Sequence, residues 1–154
     1  MAIKKIGILT SGGDAPGMNA AIRAVVRSAI YKGIETVGIY DGFRGLVNEK
    51  FRKLERQDVS GLLNKGGTIL YSARFPEFKD EEVRLKAVEI LKKNEIDALV
   101  VIGGDGTLTS ARDFARKGVK VIGVPKTIDN DVSFADITFG FTTALGVICE
   151  SCDR

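Results

Sequence analysis

The chain has 154 residues, 44% hydrophobic and 28% charged, as expected of a soluble globular domain long enough to bury a core. Its 23 basic and 20 acidic residues leave a net charge of +3, too small and too mixed to indicate a nucleic-acid surface. No apolar run reaches membrane-spanning length and Met1–Lys5 lacks the apolar stretch of a secretory signal, so the expected compartment is the cytosol.

With no histidine in the chain, proton transfer near neutral pH falls to a carboxylate, a lysine, a cysteine or a tyrosine. The two cysteines, Cys149 and Cys152, lie late in an apolar helical run rather than at a helix start, and no second ligand pair exists for zinc. They read as two reduced, structurally ordinary thiols.

Lys4–Leu9 reads as the first strand, followed by a glycine-rich loop, Thr10–Gly17, and a helix from about Met18 to Lys32. Ile22, Val25, Val26, Ala29 and Ile30 form one apolar stripe on that helix, and Gly33 is a natural stop. Arg23 and Arg27, four apart, are neighbours on its polar face, as two solvated arginines or as an anion site. Glu35–Tyr40 is the next strand, closed by the turn pair Asp41-Gly42. Short helices are expected between Phe43 and Gly67, one of them near Val59–Asn64, and then a short strand at Thr68–Tyr71. Ser72–Phe78 is an aromatic-rich loop around one cation, Arg74.

Asp80 is placed to cap a helix running to about Asn94, with Glu81 and Glu82 in its first turn and Lys92 and Lys93 in its last, matching the helix dipole. Ala98–Ile102 is wholly apolar, the pattern of a parallel strand covered on both faces. It runs into Gly103–Thr107 and a helix from about Thr107 to Lys117, ended by Gly118. Val119–Val124 is a further strand leading into Pro125–Asp131, and Thr142–Arg154 is helical with no closing signal. This alternation predicts an α/β three-layer sandwich, a mostly parallel sheet with helices on both faces, joined by right-handed crossovers. Residues 1–140 are expected to form a nucleotide-binding unit. Residues 141–154 read as the start of a helix leading to a second domain that this chain lacks.

Ligands of such sheets bind beyond the carboxyl ends of the strands, where three polar loops are expected to meet: Gly12–Gly17, Gly103–Thr107 and Thr127–Asp131. Gly12 and Gly13 can bring backbone N–H groups close to a phosphate. The helix after Gly103–Thr107 turns its positive end the same way. Asp105 repels a bare phosphate but can hold a Mg²⁺ that bridges phosphates; its other reading is a helix cap. Asp129 and Asp131, two apart, point to one side if their loop is extended. One could then accept a proton while the other stays on the metal side; otherwise both are turn-forming aspartates.

Four stretches carry a specific resemblance: Ile6–Arg23, Gly66–Phe78, Ala98–Thr107 and Pro125–Asp131. In order and spacing they resemble the front part of bacterial 6-phosphofructokinases, over essentially the whole chain. The resemblance implies transfer of a phosphoryl group from MgATP to the 1-hydroxyl of fructose 6-phosphate, giving ADP, in the cytoplasm. It makes Asp129 the proton acceptor, with Thr127, Ile128 and Asp131 beside the sugar and the transferred phosphoryl group. It assigns Gly13, Arg74, Phe75, Gly104, Asp105, Gly106 and Thr107 to the nucleotide, and Asp105 to magnesium. Arg74 would also steady charge on the moving phosphoryl group. Arg23, Arg27 and Arg56 match basic positions of an effector site between subunits of a homotetramer.

Two positions depart from that pattern. Lys126 stands where many ATP-using members have glycine; a lysine there is familiar from pyrophosphate-dependent members. Those members, however, usually carry an aspartate at the position of Gly106, which here leaves room for ATP. Gly61 replaces an acidic residue often found at the effector site, which weighs against allosteric control by nucleotide. Pyrophosphate as donor and a non-catalytic nucleotide-binding fragment are the competing readings. A dinucleotide-binding oxidoreductase is disfavoured, because no G-x-G-x-x-G follows the first strand.

Overall fold

The computed structural model describes residues 2–154. The most apolar strands lie at the centre of the sheet: β1 (Lys5–Thr10) pairs in parallel with β4 (Ala98–Gly103), Ile8 opposite Val100 and Leu9 opposite Val101. β2 (Glu35–Ile39) flanks β1 and β5 (Lys120–Thr127) flanks β4, both parallel. The order is β3-β2-β1-β4-β5-β6, with β3 at Phe51–Lys53 and β6 at Phe139–Gly140.

Because side chains alternate along a strand, β1 and β4 each feed two cores. Leu9, Leu99 and Val101 face one side, where they meet Phe43 and Leu46 of α2 (Gly42–Val47), Ala87 and Leu91 of α3 (Glu81–Lys93), and Ala111 and Phe114 of α4 (Asp105–Ala115). Ile8, Val100 and Ile102 face the other, against Ala21, Ile22 and Val26 of α1 (Met18–Tyr31) and Leu54, Val59, Leu62 and Leu70. The expected layers and mostly parallel sheet are therefore present, and β4 is covered on both faces.

The exceptions are informative. β3 returns antiparallel to β2 where the sequence predicts no strand, since its three residues, Phe51–Lys53, carry no strand-like alternation. Residues 59–64 are a string of turns rather than a helix. Thr68–Tyr71 is a turn rather than a strand, with Tyr71 at φ 56°. Its apolar residues satisfy a different demand: Leu70 is buried and the turn hangs from β1, the Thr10 hydroxyl donating to Tyr71 O at 2.7 Å and meeting Thr68 Oγ1 at 2.8 Å. Asn19, buried in the first turn of α1, donates to Lys65 O and Gly66 O and accepts from the Ile69 N–H at 2.8 Å. Asp80 does precede α3, but its side chain makes no capping bond.

β5 runs three residues further than its apolar stretch, to Thr127. α4 covers one of its faces; on the other, Ile122 is 67% exposed, so helices do not cover both faces here. α5 (Phe141–Cys152) is apolar yet holds no buried residue, and Cys149 and Cys152 are free and exposed on it. None of the described helices is long and apolar enough to cross a membrane.

Candidate active site

After β1 the chain moves outward through β2 and β3; after β4 it moves the opposite way. A sheet whose order reverses in this manner opens a crevice at the carboxyl ends of the two central strands. A cavity of about 790 Å³ lies there, lined by all three polar loops. Gly13, Arg74, Phe75, Gly104, Asp105, Gly106, Thr107, Thr127, Ile128, Asp129 and Asp131 border this one space. Residues from Gly13 to Asp131 in the chain thus converge on one site.

The first two loops are locked together by their own geometry. Gly12 has φ +83°, a conformation that favours glycine, and a Cβ there would sit 3.3 Å from Thr107 Oγ1. A Cβ on Gly103 would stand 2.4 Å from Thr107 Cγ2. These glycines are therefore required by the fold. Gly13 and Gly106 are not: a Cβ on either meets nothing within 4 Å. The space beside them opens into the cavity, which allows a ligand to approach the backbone.

α4 starts at Asp105, two residues earlier than the pattern suggests, after Gly104 in extended conformation. No side chain caps this start, so its first-turn N–H groups are left for solvent or an anion, and its dipole favours negative charge. Asp105 sits exposed in this first turn. The described residues contain no group of three or more acidic or cysteine side chains able to hold a metal by themselves. One exposed carboxylate fits magnesium that arrives on phosphates, because that ion is usually held by one or two carboxylates plus phosphate oxygens.

Arg74 projects from a segment anchored on both sides. Before it, the Thr68–Tyr71 turn is tied to β1; after it, Phe75 and Phe78 pack into the core. Phe78 stacks on Phe43 with ring centroids 4.2 Å apart and meets Phe114 edge-on at 5.4 Å. A short 3₁₀ turn, Pro76–Lys79, fixes the exit. The exposed guanidinium of Arg74 is thereby held at the rim.

The third loop differs from expectation in how it delivers its acids. It is not extended: residues 128 and 129 bend and Asn130 adopts φ 52°. Asp129 and Asp131 nevertheless both line the cavity. The Thr127 hydroxyl accepts from the Asp129 N–H at 3.1 Å and donates to Asp129 Oδ2 at 3.2 Å, which orients the carboxylate. Asn130 Oδ1 accepts from the Thr138 N–H at 3.0 Å, and the Thr138 hydroxyl donates to Thr127 O at 2.9 Å. The left-handed residue is thus the anchor, and the aspartates either side of it are free to face the ligand space.

The sequence marks Lys126 only as a departure from the family pattern, yet it is 2% exposed and lines the cavity, its ammonium donating to Gly13 O. Burial pushes its pKa below the usual lysine range, opposed by the Asp14 carboxylate nearby. A charged residue following an apolar strand and a proline was the only sequence signal for it. Arg23, Arg27 and Arg56 lie outside this cavity. Arg23 donates to Val59 O at 2.6 Å, so it holds the turn segment to α1. Arg56 is exposed beside a separate shallow hollow. Gly61 has φ +68°, a conformation that itself favours glycine over an acidic side chain.

Residues 5–154 match the sequence model of the family described as Phosphofructokinase. Curated relatives from two strains of Aliivibrio fischeri, each named ATP-dependent 6-phosphofructokinase, are 57% identical over 152 residues, covering 99% of this chain and 48% of theirs. The chain thus spans about half the length of the curated relatives it matches. A solved phosphofructokinase from Pichia pastoris superposes with a TM-score of 0.95 at 42% identity, over 99% of this chain and 18% of that one. A pyrophosphate-dependent phosphofructokinase from Nitrosospira multiformis, at 22% identity and a TM-score of 0.84 over 99% of this chain and 42% of that one, shares the fold alone. By the match along nearly its full length, the chain belongs to the phosphofructokinase family.

Proposed function

We infer that this chain is the nucleotide-binding and proton-accepting portion of an ATP-dependent 6-phosphofructokinase. The reaction moves the γ-phosphoryl group of MgATP to the 1-hydroxyl of fructose 6-phosphate and releases ADP. The observation that carries this reading is the single cavity bordered by Asp105, Arg74 and Asp129, with an uncapped helix start on one wall. Gly13 and the first turn of α4 hold the donor phosphates through backbone N–H groups. Magnesium, when bound with the nucleotide beside Asp105, neutralises phosphate charge. Arg74 offers a planar set of donors to the oxygens of the transferring group, and Phe75 borders the nucleotide. Asp129, oriented by Thr127, takes the proton of the sugar 1-hydroxyl. That oxygen forms its bond to the γ-phosphorus while the bond from γ-phosphorus to the bridging oxygen breaks, its electron pair staying on ADP. Ile128 and Asp131 complete the sugar side.

Residues 1–140 then form the nucleotide domain. The exposed apolar α5, together with relatives twice as long, supports a helix that leads into further polypeptide completing the sugar site. The family also supports a cytoplasmic homo-oligomer with an effector site at Arg23, Arg27 and Arg56. Titration of the 154 residues with MgATP and with fructose 6-phosphate, followed by a coupled turnover assay, tests the reading. The expected result is nucleotide binding with little or no turnover. No nucleotide binding, or turnover at the rate of a full-length relative, overturns it.

Pyrophosphate as donor is the second reading, favoured by the cationic Lys126 in the cavity wall. The open space at Gly106 favours ATP. A full-length protein containing this chain is expected to use ATP at least tenfold better than pyrophosphate in kcat/KM, and the reverse preference would reassign the donor.

A further inference from the structure

β1 and β5 are not neighbours in the sheet; β4 lies between them. Two strand spacings separate them, about 9.5 Å, so their backbones cannot bond. A link between the loop after β1 and the end of β5 must therefore cross the carboxyl end of β4, where the chain is Gly103-Gly104. Lys126 makes that link. It lies one residue past the last β4–β5 pair, Gly103 with Pro125, and its ammonium donates to Gly13 O. Gly104 lies beside the start of that link: a Cβ there would stand 3.5 Å from the Lys126 carbonyl oxygen and 3.7 Å from Thr127 Cβ.

The residue is 2% exposed, a costly position for an ammonium that an unbranched apolar side chain would fill without penalty. Asp14, next to the carbonyl that Lys126 holds, supplies the opposing charge. Gly12 is packed against Thr107 and Ala15 is buried, but a Cβ on Gly13 would meet nothing within 4 Å, so between those two anchors packing leaves Gly13 open.

We propose that Lys126 is a positioning residue that clips the Gly12–Gly17 loop to the end of β5 and so sets the donor-phosphate wall before any ligand binds. The role in donor binding rests on the nucleotide reading above; the clip itself does not. Holding the Gly13 carbonyl also fixes the orientation of the following peptide N–H, since the two point in opposite directions across a planar trans peptide.

The test is amide hydrogen exchange on the ligand-free chain, paired with titration by MgADP. Lys126→Met keeps the length and removes the donor. The expected result is at least tenfold faster exchange confined to residues 12–17, with exchange in the β1 and β4 interiors unchanged, and about tenfold weaker MgADP binding. Lys126→Gln, which keeps an N–H donor, is expected to fall between and serves if the methionine variant does not fold. Unchanged exchange over residues 12–17 in the folded variant overturns the clip. Weaker MgADP binding with unchanged loop exchange also overturns it, because Lys126 would then act by touching the ligand. Faster loop exchange in a chain whose unsubstituted form does not bind MgADP supports the clip and refutes the nucleotide reading instead.

Discussion

The two acid-bearing walls of the cavity are built in different ways. Asp105 stands on a helix start that follows β4, the strand buried on both faces, and its glycine turn is packed against Thr107 and Gly12. Asp129 stands on a bent loop after β5, whose outer face is open at Ile122; Thr127 orients its carboxylate, and Thr138 ties the loop by donating to Asn130 Oδ1 and Thr127 O. The first wall is set by the core, the second by a local polar network at a partly covered edge. In the proposed reaction the donor phosphates need a rigid cradle, a demand that the first wall suits. The proposed proton acceptance from a sugar needs a carboxylate that can be brought to its partner, which suits the second wall and makes it depend on what else covers that edge.

The largest effects expected from this contrast are chemical. Asp129→Asn in a full-length protein containing this chain should lower kcat by roughly 10²–10⁴, with nucleotide affinity kept. Steady-state kinetics with a nucleotide titration check this, and unchanged kcat would remove Asp129 as the base. Next in size is the packing contrast. Leu99→Ala in β4 should cost about 2–5 kcal/mol in urea denaturation. Ile122→Thr on the open face of β5 should stay within about 0.5 kcal/mol. Equal losses at the two sites would show that β5 is as well covered as β4.

Gly103→Ala places a methyl against Thr107 and should destabilise by about 1–3 kcal/mol while weakening MgADP binding, since α4 must shift. A stable variant with unaltered affinity would separate the glycine turn from the donor wall. The smallest effect lies at the opposite end of the same central strands. Asp97 Oδ2 accepts the Lys4 N–H at 2.7 Å and the Lys5 N–H at 3.0 Å, which holds its carboxyl below the usual aspartate range. A depressed folded pKa gives stability that is present above the unfolded value of about 3.9 and is lost as pH falls through the folded one. Asp97→Asn should therefore lower the melting temperature slightly at pH 6 and by less at pH 3. An equal loss at both would mean the charge contributes nothing.

Much of the cavity lining was legible because its residues sit in short polar runs after apolar strands. Gly13, Asp105 and Asp129 were each placed in this way, and the strand alternation already implied that their loops share an edge. What was misread lay where local pattern and distant partners disagree. Thr68–Tyr71 has strand-like residues, but Thr10 and Asn19 fold it into a turn. The pairing of Asp129 with Asp131 was expected from an extended loop, whereas Asn130 breaks that geometry and the two acids reach the cavity by another path. Lys126 gave almost no signal, because its partner lies 113 positions away.

From the sequence by itself came the alternation of strands and helices, the apolar central strand, the three polar loops and the family resemblance. These follow from periodicity and from residue types whose backbone preferences are local. Only the tertiary structure decided which glycines serve the fold and which leave space for a ligand, that β5 lacks cover on one face, and that Lys126 reaches from the end of β5 to Gly13 O. Those facts depend on distances between segments far apart in the chain, and short-range pattern carries no information about such distances.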